Sequence, residues 1–409
     1  MAQTTNLHLV KPEGTDKPKN FRTGYNSNMD AIDAAVHANA VGIDQLFLGI
    51  LRPVERWLRF NPENKKGLII KAGTHIRKAN GVIKSYLVDT AIDLSEDIDT
   101  AGADYAVYLL NDDTITTALI SATAPENSRK IGRFHTLCVN VGDNVSMVAP
   151  ASPSSGMEVG VSTYLIKPYR QEKDPDFYAF YLKTISAKTV QSAYDLVTMP
   201  HPLSGFEAQD ILPESVFCIG FEPDTLFEDG MVYDKTFDRV IDIYLQSGTG
   251  FNTRSAYNAT HTVNRTQMNH ADDMRMVAKQ LISDDEFTSA ALGSNEKTAI
   301  QGAADKTTVG GHVDTANRRM ISAIGCEEMC GYLTQWTRNV ASDGGSGWVT
   351  TDGHASFGQE YGDPFVLLAG GSWGHSSSAG SRCRGSNCHR SGVGGTIGGR
   401  GSSRVSRRA

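Results

Sequence analysis

The residues that could do chemistry are six cysteines and a run of histidines. Cys326 and Cys330 fall one helical turn apart, and Cys383 and Cys388 lie close together near the C-terminus. Four thiols can make a zinc site, but these spacings are not those of a zinc ribbon or finger. Buried free thiols explain the first pair better, and a facultative disulfide or small side chains explain the second equally well. Cys138 and Cys218 complete a scatter that is no disulfide framework for a chain of this length. His354, His375 and His389 sit in a serine-rich region, yet no Asp or Glu follows Asp363 to orient a histidine base. The patterns for a phosphate-binding loop, a zinc protease helix, a nucleophile elbow and a dinucleotide fold are missing. The expectation is no enzyme, no cofactor and no metal.

What remains is a surface suited to binding. From Gly370 to the end the chain has seven Arg, eleven Gly and ten Ser but no Asp, Glu or Lys. Composition alone reads as a disordered tail. The apolar run Phe365–Leu368 leads into it, Trp373 and Ile397 interrupt it, and its glycines come in pairs, as where a backbone turns tightly. We therefore expect a folded, loop-rich surface. Ser, Gly, Asn, His and Arg offer adaptable hydrogen bonding at low ordering cost. Arg384 and Arg390 could take an anion or a sugar through bidentate bonds, and Trp373 could stack on it or fill the core.

The elements that must carry this surface are visible in outline. The chain of 409 residues is 40% hydrophobic and 21% charged with a net charge of -7, which supports several packed domains and argues against nucleic-acid binding. No stretch reaches the length of a membrane span, and the N-terminus lacks an apolar signal core, so no membrane insertion is expected. Residues 1–25 read as an extended arm. Met29, Ile32, Val36, Asn39, Ile43, Leu46 and Ile50 follow a 3–4 spacing, an a/d seam that predicts a coiled coil over 26–58, with its β-branched residues favouring a trimer. Period-two patterns predict a β domain over 59–150, with a hairpin at Asn80-Gly81 closed by a type I′ turn. A second β module is expected over 151–203, with strands at 159–166, 177–182 and 194–199. From 204 onward the texture is α+β: a hairpin through Met231–Tyr233 and Val240–Leu245, a helix over 272–281, a capping box at Ser283–Glu286, and a helix over 326–336.

The runs GCEEMCGYLTQW, FVLLAGGSW, SAGSRC and IGGRG resemble the phage and bacterial variable proteins diversified by retroelements, the family of the major tropism determinants. VIDIYLQSGT, NSRKIGRFHT and the stretch from Gly302 to Glu328 fit the same proteins. The resemblance implies a multi-domain virion protein with a short N-terminal coiled coil, β-rich middle domains and a C-terminal α+β, C-type-lectin-like domain over 204–409. It implies a homotrimer in a phage tail fibre, assembled in the host cytoplasm, held by its arm to tail or baseplate proteins, and binding a host-surface protein or glycan. Carried onto this chain, the ligand-facing positions are Ser372, Gly374, His375, Ser378, Arg384, Gly385, Asn387, Cys388 and His389. Gly370, Gly371, Trp373, Gly398, Gly399 and Arg400 are implied framework. A structural virion appendage is the alternative. The related formylglycine-generating oxidase fold needs a cysteine pair that Gly374–Gly380 lacks.

Overall fold

Short period-two stretches punctuated by Gly, Asn and Asp make strands the dominant regular element among the described residues. The structure is a computed structural model that describes residues 2–3, 10–11, 56–148, 196–342, 348–350, 359–361 and 364–407. The strands are β1 (Ala2–Gln3), β2 (Val10–Lys11), β3 (Leu58–Phe60), β4 (Gly67–Ile70), β5 (Thr74–Arg77), β6 (Ile83–Tyr86), β7 (Thr90–Asp93) and β8 (Asp104–Leu110). They continue as β9 (Ile115–Leu119), β10 (Ser128–His135), β11 (Asn144–Val148), β12 (Leu196–Pro200), β13 (Phe217–Cys218), β14 (Phe221–Pro223), β15 (Met231–Asp234) and β16 (Arg239–Asp242). Helix α1 (Gln267–Met276), β17 (Gln280–Leu281) and α2 (Asp284–Ala290) precede β18 (Thr334–Ser342), β19 (Trp348–Thr350) and β20 (Gln359–Tyr361). The last strands are β21 (Phe365–Ala369), β22 (Arg384–His389), β23 (Ile397–Gly398) and β24 (Gly401–Arg407).

The seam over 29–50 lies outside the described residues, as do the expected strands at 159–166 and 177–182. The strand expected at 194–199 is found as β12, which pairs antiparallel with β11. The turn at Asn80-Gly81 is not type I′. Gly81 N–H bonds to Lys78 O at 3.0 Å, Lys78 N–H bonds to Val82 O at 2.7 Å, and the left-handed φ falls on Gly81 alone. That is a three-residue loop with a glycine bulge, the next most common hairpin closure.

The largest sheet has nine strands, in the order β15-β16-β24-β14-β13-β10-β8-β9, with β17 also paired to β24. Strands from 104–135 and from 217–242 thus share one sheet, and a single apolar core including Trp57, Tyr105, Phe134, Phe217 and Phe221 lies against it. A second core, around Tyr244, Phe287, Met329 and Leu333, fills the C-terminal half. Strand β24 is the weave point, because it pairs with β14, β16 and β17.

The residue before β24 fixes that weave. Arg400 is fully buried. Its guanidinium donates to Asp242 O at 2.7 Å, Ile243 O at 2.6 Å, Glu327 O at 2.6 Å and Gln335 Oε1 at 2.9 Å. One side chain thus joins the start of β24 to residues 242–243, 327 and 335. The first residue of β24 is held in a similar way, since Gly401 N–H donates to Asp242, which also accepts from the buried ammonium of Lys279 at 2.8 Å.

Helix α2 starts at the expected capping box: Glu286 N–H donates to Ser283 Oγ and Ser283 N–H to Glu286 Oε2. Helix α1 covers 267–276 rather than 272–281, because Ala278 turns left-handed and Leu281 belongs to β17. The helix expected over 326–336 is absent. Glu328 and Gly331 hold φ of 56° and 70°, which no right-handed helix accommodates, and Thr334 onward is β18.

Two buried histidines make the fold acid-sensitive. Burial lowers both His201 and His270 from 6.5 to about 4. His201 accepts from Leu203 N–H at 3.0 Å while its other nitrogen donates to Ile321 O at 3.1 Å, which requires the neutral ring. The unfolded chain therefore binds more protons between pH 6.5 and 4. Stability from these groups is complete above pH 6.5 and falls as pH drops through that window, by up to about 1.4 kcal/mol per pH unit for each. In urea titrations from pH 7 to 4, His270→Gln is expected to flatten the decline relative to the native chain.

Candidate receptor-binding face

The framework glycines and the face they carry can be separated by asking what a side chain would meet. Gly370 sits at φ +86°, and a Cβ there would press into Met329 O. A Cβ on Gly399 would lie 2.8 Å from His270 Nδ1, and one on Gly398 would lie 2.9 Å from Leu333 Cδ1. These positions close the core behind the loops. Gly374 and Gly385 are the opposite: their nearest neighbours would be 3.7 Å and 3.6 Å from a Cβ, ordinary contact, and neither has a left-handed φ. A Cβ fits at either place.

Those two glycines sit in a 3-10 turn and in strand β22. The turn, Trp373–Ser378, is launched from Ser372, which is buried and bonds through its N–H and hydroxyl to His375 Nδ1, both at 3.0 Å. Trp373 N–H donates to Tyr332 O at 3.1 Å, and its ring packs on Tyr332 with centroids 6.3 Å apart. The tryptophan is thus half-buried scaffold. Gly374, His375, Ser376, Ser377 and Ser378 are exposed in a row. Ser376 has φ 47°, a conformation that costs a serine energy and that its neighbours must enforce.

Strand β22 replaces the expected loop. It pairs only with β21 among the described residues and so forms one edge of the four-stranded sheet β22-β21-β18-β23. Its register steps from Val366↔Cys388 to Leu368↔Gly385, three residues spanning the distance of two. The extra residue is a β-bulge at Ser386 and Asn387, opposite Leu367, and both side chains are exposed. Bulges re-aim side chains beside functional sites, and here two consecutive residues reach solvent instead of one.

The nine residues expected to face a ligand divide on this geometry. Gly374, His375, Ser378 and Asn387 are exposed, and Gly385 is half-buried with room above it. Ser372 is buried under the turn. Cys388 packs on the small core of Met274, Trp336 and Leu368, and the His389 ring lies 4.1 Å from that of Phe365. Arg384 is committed to the scaffold. Its guanidinium meets the Asp284 carboxylate, donates to Thr288 Oγ1 at 2.7 Å and to Ser381 O at 2.8 Å, and lies 5.0 Å over the Phe287 ring. Sequence reading missed this because the partners come from α2, about a hundred residues earlier. Ser386 and Ser377, also missed, betray themselves only through the bulge and the turn. Cys383 and Cys388 are free thiols, and burial pushes the Cys383 thiol up.

Residues 59–157 match the family described as the Mtd second domain. A tail fiber receptor-binding protein of Bordetella phage BPP-1 is 26% identical over 334 residues, covering 76% of this chain and 73% of that protein. The solved structures of the major tropism determinant I1 and M1 variants superpose with TM-scores of 0.63 and 0.62 at 23% identity, covering 88% of this chain and 86% of each. The chain is a homologue of the major tropism determinants. Its β-rich, multi-sheet fold with few helices is theirs, and the relative from phage BPP-1 is named a receptor-binding protein.

In this tropism determinant homologue the open and closed glycines should differ sharply in cost. Gly374→Ala and Gly385→Ala are expected to stay within about 0.5 kcal/mol of the native chain in urea unfolding. Gly370→Ala and Gly399→Ala should each cost about 2 kcal/mol or more, through left-handed strain in the first and overpacking in both.

Proposed function

We propose that this chain is the receptor-binding protein of a phage tail fibre, a virion component that attaches to a host-surface ligand through the exposed face formed by Gly374–Ser378 and β22. The observation that carries the reading is the separation of a closed glycine-and-arginine frame from a row of exposed, mostly small side chains, of which His375 bonds back to Ser372. The relative from phage BPP-1 is named for the same role. Residues 204–409 are then the C-type-lectin-like domain of the family, with His375, Ser378, Ser386 and Asn387 as the residues nearest the ligand. Ser372, Cys388 and His389 set the backbone beneath them, and Arg384 positions β22.

Trimerisation fits this role. Three copies joined through the seam of Met29, Ile32, Val36, Asn39, Ile43, Leu46 and Ile50 present three weak sites together. Tethering of that kind raises apparent affinity by about 10²–10⁴ without new contacts. The arm over 1–25 would dock on tail proteins and the receptor would be a cell-surface protein or glycan.

The test is attachment of purified protein to a panel of bacterial cells, beside a variant carrying Ser378→Glu and Asn387→Glu. Both changes fall on a face without acid, and neither position supports the core. The expected result is at least tenfold weaker attachment with an unchanged unfolding midpoint. Equal attachment by the two proteins would place the receptor site elsewhere, and particle assembly with no cell binding by either would favour a structural appendage instead.

A further inference from the structure

Lys279 meets Asp242 inside the core, away from the receptor face. The end of helix α1 delivers the lysine. Ala278 has φ 59° and its N–H bonds to Arg275 O at 3.1 Å, while Lys279 N–H bonds back to Met274 O at 2.8 Å. That pair of bonds is the helix ending usually built on a left-handed glycine. The Lys279 stem runs beside Gly401, where an added Cβ would lie 3.0 Å from Lys279 Cδ and 3.0 Å from Met274 Sδ. Strand β16 delivers the aspartate as its last residue, and Arg400 fixes it by donating to Asp242 O at 2.7 Å. Both side chains are 1% exposed.

Donors and acceptors do not balance there for an ion pair. An ammonium carries three N–H donors. Among the described residues Lys279 Nζ makes one hydrogen bond, to Asp242 Oδ1 at 2.8 Å. A charge taken out of water with two donors unmatched is costly. Lys78, the other buried lysine among the described residues, is served better: it donates to Asn111 O at 2.8 Å and to the exposed Asp113 at 2.7 Å. The Asp242 carboxyl is also held for more than a charge pair. Its Oδ2 accepts the Gly401 N–H at 3.0 Å, and a Cβ on residue 401 would press into that oxygen. Burial raises the Asp242 carboxyl above its usual range against the opposing pull of Lys279, and the charge of Asp229 pushes the same way as burial. That favours the acid form.

We infer that Lys279 and Asp242 condense into an intramolecular isopeptide bond that ties the end of α1 to β16. One proton passes from Nζ to Oδ1 along the 2.8 Å hydrogen bond, leaving an amine and a carboxylic acid. The nitrogen lone pair then forms the new bond to Asp242 Cγ. The negative charge that develops on Oδ2 is met by the Gly401 N–H. A second Nζ proton goes to the Oδ1 hydroxyl, the Cγ–Oδ1 bond breaks, and water leaves. The products are one secondary amide and one water, and nothing is oxidised or reduced. Fixed contact between the two groups supplies the proximity that such a step needs. The amide keeps one N–H where the ammonium had three, and its carbonyl oxygen keeps the bond to Gly401. The inference stands apart from the receptor reading, since neither residue belongs to that face.

The test is the mass of the full chain, purified, held at neutral pH until the mass is constant, and then denatured. After allowing for removal of Met1, the expected mass is that of the sequence less one water. Trypsin should leave Lys279 uncut and release a branched peptide in which residues 276–297 are joined to residues 240–254. Lys279→Arg keeps the charge and cannot form this amide, so it should show the full sequence mass and no branched peptide. A native chain at the full sequence mass would overturn the inference. So would a water loss that persists in Lys279→Arg, or one that maps to a cyclised Asp-Gly pair such as Asp229-Gly230 instead of the branched peptide.

Discussion

One buried guanidinium holds the C-terminal half together. Arg400 donates to three backbone carbonyls and one amide side chain drawn from β16 and its extension, the 327 turn and β18. Burial lowers its affinity for the proton, yet every bond it makes requires the charged, five-donor form. Hydrogen bonds to a charged group contribute about 1.5–3 kcal/mol each, and an orphaned buried carbonyl costs about as much. No other side chain could reach all four partners, since lysine lacks the planar fork. The paired glycines in front of it, Gly398 and Gly399, let the backbone pass close enough for that fork to arrive.

The frame reaches the binding face through α2. Glu286 accepts from Arg338 and Ser402 as well as closing the helix cap, which ties the helix to β18 and β24. Asp284, Phe287 and Thr288 of the same helix hold Arg384 and hence the start of β22. Apart from the two hydrogen bonds between His375 Nδ1 and Ser372, the face adds little back. His375, Ser378, Ser386 and Asn387 point to solvent from a turn and a bulge that the backbone defines. Under the proposed function, substitution there would change what the protein binds without changing whether it folds.

Local signals were the legible ones. The Ser283–Glu286 cap depends on four adjacent residues, and the 231–245 hairpin on simple alternation, so both read directly from the chain. The paired glycines and the isolated Trp373 marked a folded surface where composition pointed to a tail. The helix expected over 326–336 came from the spacing of Met329, Leu333 and Trp336, which are all buried. An irregular segment buried on all sides can show helical spacing by chance, and the left-handed turns at Glu328 and Gly331 carry no signal in periodicity. Strand β22 was hidden because Gly, Ser and Asn disfavour strands, and only pairing with β21 overrides that preference. The sheet that joins residues 104–135 to 217–242 and 401–407 depends on partners hundreds of positions apart. Arg384 looked like a ligand anchor for the same reason: its carboxylate partner is remote in sequence.

The central claim is that the exposed face is energetically separate from the frame that carries it. The direct measurement is the thermal midpoint of a small library randomised together at Gly374, Ser378, Ser386 and Asn387, compared with one randomised at Ser372, Arg384, Gly399 and Arg400. Separation predicts that most of the first library unfolds within about 3 °C of the native chain, the shift expected for under roughly 1 kcal/mol in a protein of this size, while most of the second fails to fold. If the first library loses stability as widely as the second, the face is part of the core and the account is wrong.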